Sequence, residues 1–243
     1  MANLPDYFGS TYIINLPERV DRLKSVQNQL AQAGWEVGLG AVQIFSALRF
    51  ADRAGFPNAG VRGCFQSHLQ CLRQAYAEGK KSVLILEDDI ELSPSLSRLS
   101  STIISRLEAV PWDFVYFGHY NTGQIADAGL IANDSELRFE AWNDDVVGGH
   151  FYGVSNRILQ RLIGTLDEIA NGTEGDRARG PMPVDGAFNN FRRHNHDVRC
   201  IIVHPKLGWQ GSSRSDITPR MIDRWSLLKP VGAAFRELKQ FGK

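Results

Sequence analysis

Glu87, Asp88 and Asp89 follow directly on the apolar run Val83 to Leu86 in the stretch VLILEDDIEL. Hard divalent cations take oxygen ligands, commonly one or two carboxylates completed by substrate phosphates, so a carboxylate cluster can hold magnesium or manganese. On an extended chain Glu87 and Asp89 point one way and Asp88 the other, which leaves Asp88 for a sugar or ribose hydroxyl. An acidic pair that ends a strand and solvates a turn is the competing reading. The apolar run weighs against it, because it marks a buried central strand, whereas charge is commoner on sheet edges.

Other residues have side chains suited to an anionic ligand. Asn15, Arg19 and Arg22 lie where the β-rich run STYIINL meets the helical pattern of PERVDRLKSVQNQLAQAG, and the planar fork of Arg suits phosphate. The alternative for the two arginines is a solvated helix face. Asp185 follows Pro183 at a helix start, where backbone amides can hold a carboxylate, and an N-cap aspartate explains it nearly as well. Gln210 and Arg214, in the polar strip WQGSSRSD, can close over a bound diphosphate; an ordinary Ser-rich surface loop is the alternative. Asp144 and Asp145 read as a solvated pair.

The elements that must position these groups alternate. Val20, Leu23, Val26 and Leu30 recur at helical spacing with Gly34 behind them, and Phe65, Leu69, Leu72 and Tyr76 do so ahead of Gly79. Strands are expected at STYIINL, EVGLGAVQIFSAL, SVLILED, WDFVYFG, LRFEAW, GGHFYGVS and DVRCIIVHP, with further helices at Ser95 to Glu108, Asn156 to Ala170 and after Pro183. This is an α/β pattern, and ligands of such sheets bind outside the carboxyl ends of the strands. NGTEGDRARGP reads as a mobile loop beside the site.

With 27 basic and 27 acidic residues the net charge is zero, which removes any general case for nucleic acid. The three cysteines, Cys64, Cys71 and Cys200, show neither CxxC nor a His-rich metal spacing and read as free buried thiols of a reducing compartment. No secretory leader or long apolar span is evident, so a cytoplasmic protein is expected. One domain is expected over 1–218. The basic, amphipathic stretch 219–243 forms a C-terminal tail that can lie on the inner, anionic membrane surface or pack on its own domain.

Several blocks, in order, resemble glycosyltransferase family 25, the bacterial lipooligosaccharide and lipopolysaccharide glycosyltransferases related to collagen galactosyltransferases. They are TYIINLPERVDRL, GCFQSHLQCLRQA, LILEDDIEL, WDFVYFG, GGHFYGVS, PVDGAF and VHPKLGWQGSSRSDI. The chain departs from the family pattern at GGH, where Gly-Thr-His is frequent, at Gly186, where an aromatic is frequent, and at Arg62, where a small or apolar residue is usual. The resemblance implies a GT-A type (Rossmann-like) fold, a mostly parallel sheet with helices on both faces. It also implies a UDP-sugar donor, a divalent metal (Mn2+ or Mg2+), a glycan or glycolipid acceptor such as lipopolysaccharide, and inversion at the anomeric carbon.

Under that resemblance Glu87 and Asp89 bind the metal, with His204, at the end of the last strand, completing its shell by analogy with the fold. His68, otherwise read as a hydrogen-bonded structural histidine, becomes a donor-site residue beside Asn15, Arg19, Arg22, Asp88, Gln210 and Arg214. His150 lies where two glycines let the backbone approach a ligand, and Asp185 becomes the catalytic base. The expected activity is transfer of galactose or another hexose. A non-catalytic nucleotide-sugar or carbohydrate-binding module on the same fold is the rival. A magnesium-dependent phosphohydrolase is weaker, since Asn15 stands where a nucleophilic aspartate is expected.

Overall fold

The computed structural model describes residues 3–38, 40–120, 130–133 and 137–211. Arg214 and the stretch 219–243, singled out above, lie outside the described residues.

The chain opens with a short helix, α1 (Leu4–Phe8), and strand β1 (Thr11–Asn15), followed by α2 (Val20–Gln32) and β2 (Val42–Ser46). Helix α3 (Ala59–Ala77) leads to β3 (Ser82–Glu87), β4 (Ile90–Leu92) and α4 (Leu96–Ala109). Strands β5 (Phe114–Gly118), β6 (Leu130–Asn133), β7 (Arg138–Ala141) and β8 (Phe151–Ser155) come next, then α5 (Asn156–Ala170), α6 (Val184–His194), β9 (Cys200–His204) and β10 (Gly208–Gln210).

Local chemistry accounts for these boundaries. Asn58 caps α3 by accepting from the Val61 amide at 2.9 Å, and Ser155 caps α5 by accepting from the Arg157 amide. Behind α2 the chain turns at Gly34, with φ 75°, a left-handed conformation that glycine adopts without a Cβ clash.

Eight strands form one sheet in the order β2-β1-β3-β8-β5-β9-β7-β6, and β10 pairs with β4 in a separate ribbon. The pairings run β2, β1, β3, β5, β9 and β6 in one direction and reverse β8 and β7, so the sheet is mostly parallel. Alternation along the strands sorts two cores. Ile13, Leu84, Leu86, Val115, Phe117, Ile201 and Val203 pack with residues of α1, α2 and α4. On the opposite face Phe114 and Tyr152 meet Phe188 of α6, and Tyr152 stacks on His68 of α3. Helices therefore cover both faces, as the GT-A type expectation requires.

The loop after α5 is tied back on itself rather than open. Asp176 accepts from the amides of Ala178 and Arg179, and its own carbonyl accepts from the Gly180 amide at 2.8 Å. Cys64, Cys71 and Cys200 are free thiols. Among the described residues no helix is long and apolar enough to cross a membrane.

Candidate active site

Strand β3 lies third in the sheet, and Glu87 is its last residue. Asp88 and Asp89 form the turn into β4. Alternation carries past Val83 and Ile85 to aim Glu87 at the α3 face, and past Leu84 and Leu86 to aim Asp88 at the α2 face. The expected split between Glu87 and Asp88 is thus met. Asp89 is not a further step of extended chain, because its direction is set by the turn.

On the α2 side the acids are gripped. Asn15 donates to Asp88 Oδ2 at 2.7 Å, and Arg22 lies 3.0 Å from Asp88 Oδ1 and 3.6 Å from Asp89 Oδ2. These charged groups are nearly buried: the Arg22, Asp88 and Asp89 side chains are 11%, 8% and 11% exposed. The Asn15 amide nitrogen also reaches the Arg19 carbonyl at 3.3 Å. Arg19 itself forms a two-point pair with Asp21, through Nε at 3.0 Å and Nη2 at 2.9 Å. Asn15 and Arg22 therefore act on the acidic turn, while the Arg19 fork lies on the neighbouring aspartate.

On the α3 side Glu87 meets a second set of groups. His68 Nε2 is 3.4 Å from Glu87 Oε1, and Cys64 Sγ is 3.9 Å from the same oxygen. The other His68 nitrogen, Nδ1, is 2.8 Å from the buried Tyr152 hydroxyl. Gln210 donates to Glu87 Oε2 at 2.9 Å, carried there by the pairing of β10 with β4, which sets Gln210 opposite Ile90. Tyr120 in turn donates to the Gln210 carbonyl oxygen.

Two further groups border this end of the sheet. The His150 ring packs where Gly118 and Gly148 lack side chains: a Cβ on Gly118 would fall 2.5 Å from His150 Nε2, and one on Gly148 3.0 Å from Nδ1. Of the two glycines in GGH, Gly148 gives its space to the His150 ring, while a Cβ on Gly149 would come 3.4 Å from Val184 Cγ1. Asp185 sits in the first turn of α6, with Pro183 as the N-cap residue. Its Oδ1 accepts from the Gly186 amide at 2.8 Å and its Oδ2 from the Gly148 amide at 3.3 Å, so backbone amides do hold it.

Electrostatics separate the acids. Burial, the largest influence, would raise Glu87, but the hydrogen bond and charge of His68, with His150 and Gln210, together bring it below the ordinary carboxylate value. Burial and the Glu87 charge push Asp89 up to about 7. Asp88 is also raised, by burial, against the pull of Asn15 and Arg22. Burial, then the charges of Glu87, Asp185 and Asp89, pushes the Cys64 thiol well up. Burial holds His150 below its usual value.

Asp89 Oδ1 is buried with no hydrogen-bond partner among the described residues. A buried acid repelled by a neighbouring acid, with an unfilled oxygen, fits an oxygen-seeking divalent cation.

His204 does not join that set. Strands β3 and β9 are separated by β8 and β5, and three inter-strand steps amount to about 14 Å. Its ring instead packs edge-on to His119, with Nε2 3.9 Å from Glu140 Oε2. The expectation that His204 completes the metal shell is corrected accordingly. Arg214 lies outside the described residues. Asp145 pairs with Arg193 at the surface, consistent with a solvated acidic pair.

Cys64 and Tyr152 were not among the expected site residues. Cys64 and His68 are four apart, one helical turn, so the shared face of the two was readable once α3 was recognised. Tyr152 had no such signal, because its place opposite His68 depends on β8 pairing with β3.

The family model for glycosyltransferase family 25 (LPS biosynthesis protein) matches residues 58–174, a segment that contains Cys64, His68, Glu87, Asp88, Asp89 and His150. Glycosyl transfer is the activity class this match carries. No curated protein matches the chain in sequence. Among solved structures, a glycosyltransferase involved in the glycosylation of the major capsid of PBCV-1 aligns at 10% identity over 85% of this chain and 93% of that one, with a TM-score of 0.48. A197 from STIV aligns at 12% identity over 79% of each chain, with a TM-score of 0.36. Mannose-1-phosphate geranyltransferase from Thermus thermophilus aligns at 10% identity over 83% of this chain and 73% of that one, with a TM-score of 0.39.

Proposed function

We propose that this chain, whose residues 58–174 match the model of glycosyltransferase family 25, moves a hexose, galactose first among them, from a UDP-sugar to a hydroxyl of a surface glycan such as lipopolysaccharide, inverting the anomeric carbon. The observation that carries the reading is the acid pair Glu87 and Asp89, half-buried at the carboxyl end of a central strand inside the matched segment, with a buried, unfilled oxygen on Asp89.

In this reading Glu87 and Asp89 hold magnesium or manganese, which when bound offsets the negative charge of the donor diphosphate and of the departing UDP. Asn15 and Arg22 keep the acidic turn in place, because Arg22 balances the charge that Asp88 and Asp89 would otherwise hold alone. Both Asp88 oxygens are taken up by Asn15 and Arg22, so Asp88 serves to anchor the turn. Gln210 steadies Glu87 from the β10 side. His68 and His150 border Glu87 and line the donor side of the site.

Asp185 serves as the base. It is half-buried and accepts from two backbone amides, which fixes its direction. There it takes the proton of the acceptor hydroxyl as that oxygen attacks the anomeric carbon from the face opposite UDP. Inversion follows from a single displacement. At Gly186 an added Cβ would make only ordinary contact, 3.6 Å from Met182 Sδ, so the missing side chain leaves room beside the base for an acceptor.

The test is UDP release from a panel of UDP-sugars with glycan acceptors, with and without a chelator, for wild type, Asp89→Asn and Asp185→Asn. Metal-dependent turnover that falls by two orders of magnitude or more in both variants is expected, in line with about 10²–10⁴-fold for loss of a general base. Turnover untouched by chelator and by Asp89→Asn overturns the metal assignment. Donor binding without turnover on any donor favours the non-catalytic module. A retained anomeric configuration, read by NMR, overturns the single displacement.

A further inference from the structure

Cys64 Sγ, His68 Nε2 and Glu87 Oε1 converge from two elements, with these atoms all within 4.8 Å of one another. Cys64 and His68 project from one face of α3 a single turn apart, and Glu87 reaches them from the end of β3. A tetrahedral zinc ion, with bonds of about 2.3 Å to sulfur and about 2.0–2.2 Å to nitrogen and oxygen, separates its nitrogen and oxygen ligands by about 3.4 Å and its sulfur and oxygen ligands by about 3.6 Å. In the structure these two separations are 3.4 Å and 3.9 Å. The nitrogen and sulfur thus stand from the Glu87 oxygen close to where a tetrahedral ion requires them, and lie within 4.8 Å of each other.

The surrounding contacts favour the same occupant. The Tyr152 hydroxyl, 2.8 Å from His68 Nδ1, can accept a hydrogen bond from that nitrogen and so leave the Nε2 lone pair facing Cys64 and Glu87. Metal-binding histidines are oriented in this way by an oxygen on the far ring nitrogen. Gln210 holds the other Glu87 oxygen at 2.9 Å, so Oε1 is the one left for a cation. A thiolate and an imidazole select zinc over magnesium or manganese, which prefer oxygen alone.

We propose that Cys64, His68 and Glu87 form a site for a borderline-soft divalent cation, zinc fitting best, distinct in ligand chemistry from the oxygen-lined pair Glu87 and Asp89. Binding displaces the Cys64 thiol proton to solvent and leaves a fourth tetrahedral position open. Glu87 belongs to both sets, so zinc here withdraws it from the oxygen-lined site and inhibits glycosyl transfer. That last consequence rests on the metal-dependent transferase reading; the binding site itself does not.

The experiment uses the full chain, reduced and stripped of metal, titrated with cobalt(II). A near-ultraviolet sulfur-to-cobalt charge-transfer band saturating at one equivalent is expected, and zinc should bleach it by displacement. The band should be lost in Cys64→Ser and kept in Cys71→Ser and Cys200→Ser. Tyr152→Phe should weaken cobalt binding by about 10–100-fold. Should Cys64→Ser not fold, as judged by circular dichroism, His68→Gln reports the same loss of affinity. No band in the wild type, or an unchanged band in Cys64→Ser, overturns the proposal. In the UDP-release assay, one equivalent of zinc should abolish turnover. A normal cobalt band with turnover unaffected by zinc overturns the inhibitory consequence alone. A normal band with no turnover on any donor counts against the transferase reading and leaves the zinc site standing.

Discussion

Gln210 donates to Glu87 Oε2 at 2.9 Å although 123 residues separate the two. The contact exists because β10 pairs with β4, just past the acidic turn, so the chain's return fastens the carboxylate that β3 delivers. Gln210→Ala removes that donor from a mostly enclosed carboxylate and should lower stability by about 1–3 kcal/mol. Gln210→Glu sets a second negative charge against Glu87 and should lower it further at neutral pH. Denaturant unfolding of the two variants checks the order; a glutamate variant as stable as wild type would mean that the contact does not hold in solution.

Arg22 is the cation that balances the turn, and its effect should exceed that of any surface pair. Exposed pairs contribute about 0–1 kcal/mol, whereas removing one member of a buried pair costs about 3–5 kcal/mol by leaving the other uncompensated. Arg22→Ala should therefore destabilise strongly, and Arg22→Lys, which keeps the charge but loses the fork that spans Asp88 and Asp89, should fall between. Arg193→Ala, which breaks an exposed pair with Asp145, should be near neutral in the same urea titration. Equal effects from the two alanine variants would show that the Arg22 pair is solvated.

Much of the scaffold could be read from residue pattern, and the reason is physical. Helices α2 to α6 and the buried strands carry period-3.6 or continuous apolar signals long enough to outweigh local ambiguity, and the acids after Leu86 stood out because charge rarely ends a central strand. Strands β4 and β10 have three residues each, too short for a period, yet they bring Gln210 to Glu87. His204 ends a strand as a metal ligand of this fold would, but the distance from β3 to β9 depends on strand order, which no local pattern contains. The direction of Asp89 does not follow from strand alternation, because the chain turns before it. The Cys64 to His68 spacing of one helical turn is present in the sequence but matches none of the paired-cysteine metal signatures.

Asp113 supplies a pH test away from the site. It is fully buried at the start of β5, accepts from Arg157 Nε at 2.7 Å and from the Arg199 amide and Nε at 2.8 and 3.1 Å, and is held below its ordinary value. Burial acts against that direction, and the arginine and backbone hydrogen bonds outweigh it. A carboxylate with a depressed folded value stabilises the fold above its ordinary, unfolded value, and this contribution is lost as pH falls through the folded one. Asp113→Asn should therefore lose about 1.5–3 kcal/mol at pH 7 and show a shallower decline in acid than wild type. Melting temperatures from pH 7 to pH 2 check this; parallel acid limbs would exclude Asp113 as a contributor.

The glycines at 118 and 186 make opposite demands. A Cβ on Gly118 would stand 2.5 Å from His150 Nε2 and 2.9 Å from the Gly208 carbonyl, and the latter is backbone that cannot rotate aside. At Gly186 the nearest atom is the Met182 sulfur, at 3.6 Å on a flexible side chain. Gly118→Ala should destabilise by at least about 1–3 kcal/mol, as overpacked interiors do, and should displace His150 from the Glu87 end of the sheet. Gly186→Ala lies within a helix, where alanine is preferred to glycine by about 1 kcal/mol, so it should match or exceed wild-type stability. If the space beside Asp185 admits the acceptor, Gly186→Phe should raise the acceptor KM while leaving the donor KM unchanged. A shift in donor KM instead would place residue 186 on the nucleotide side of the site.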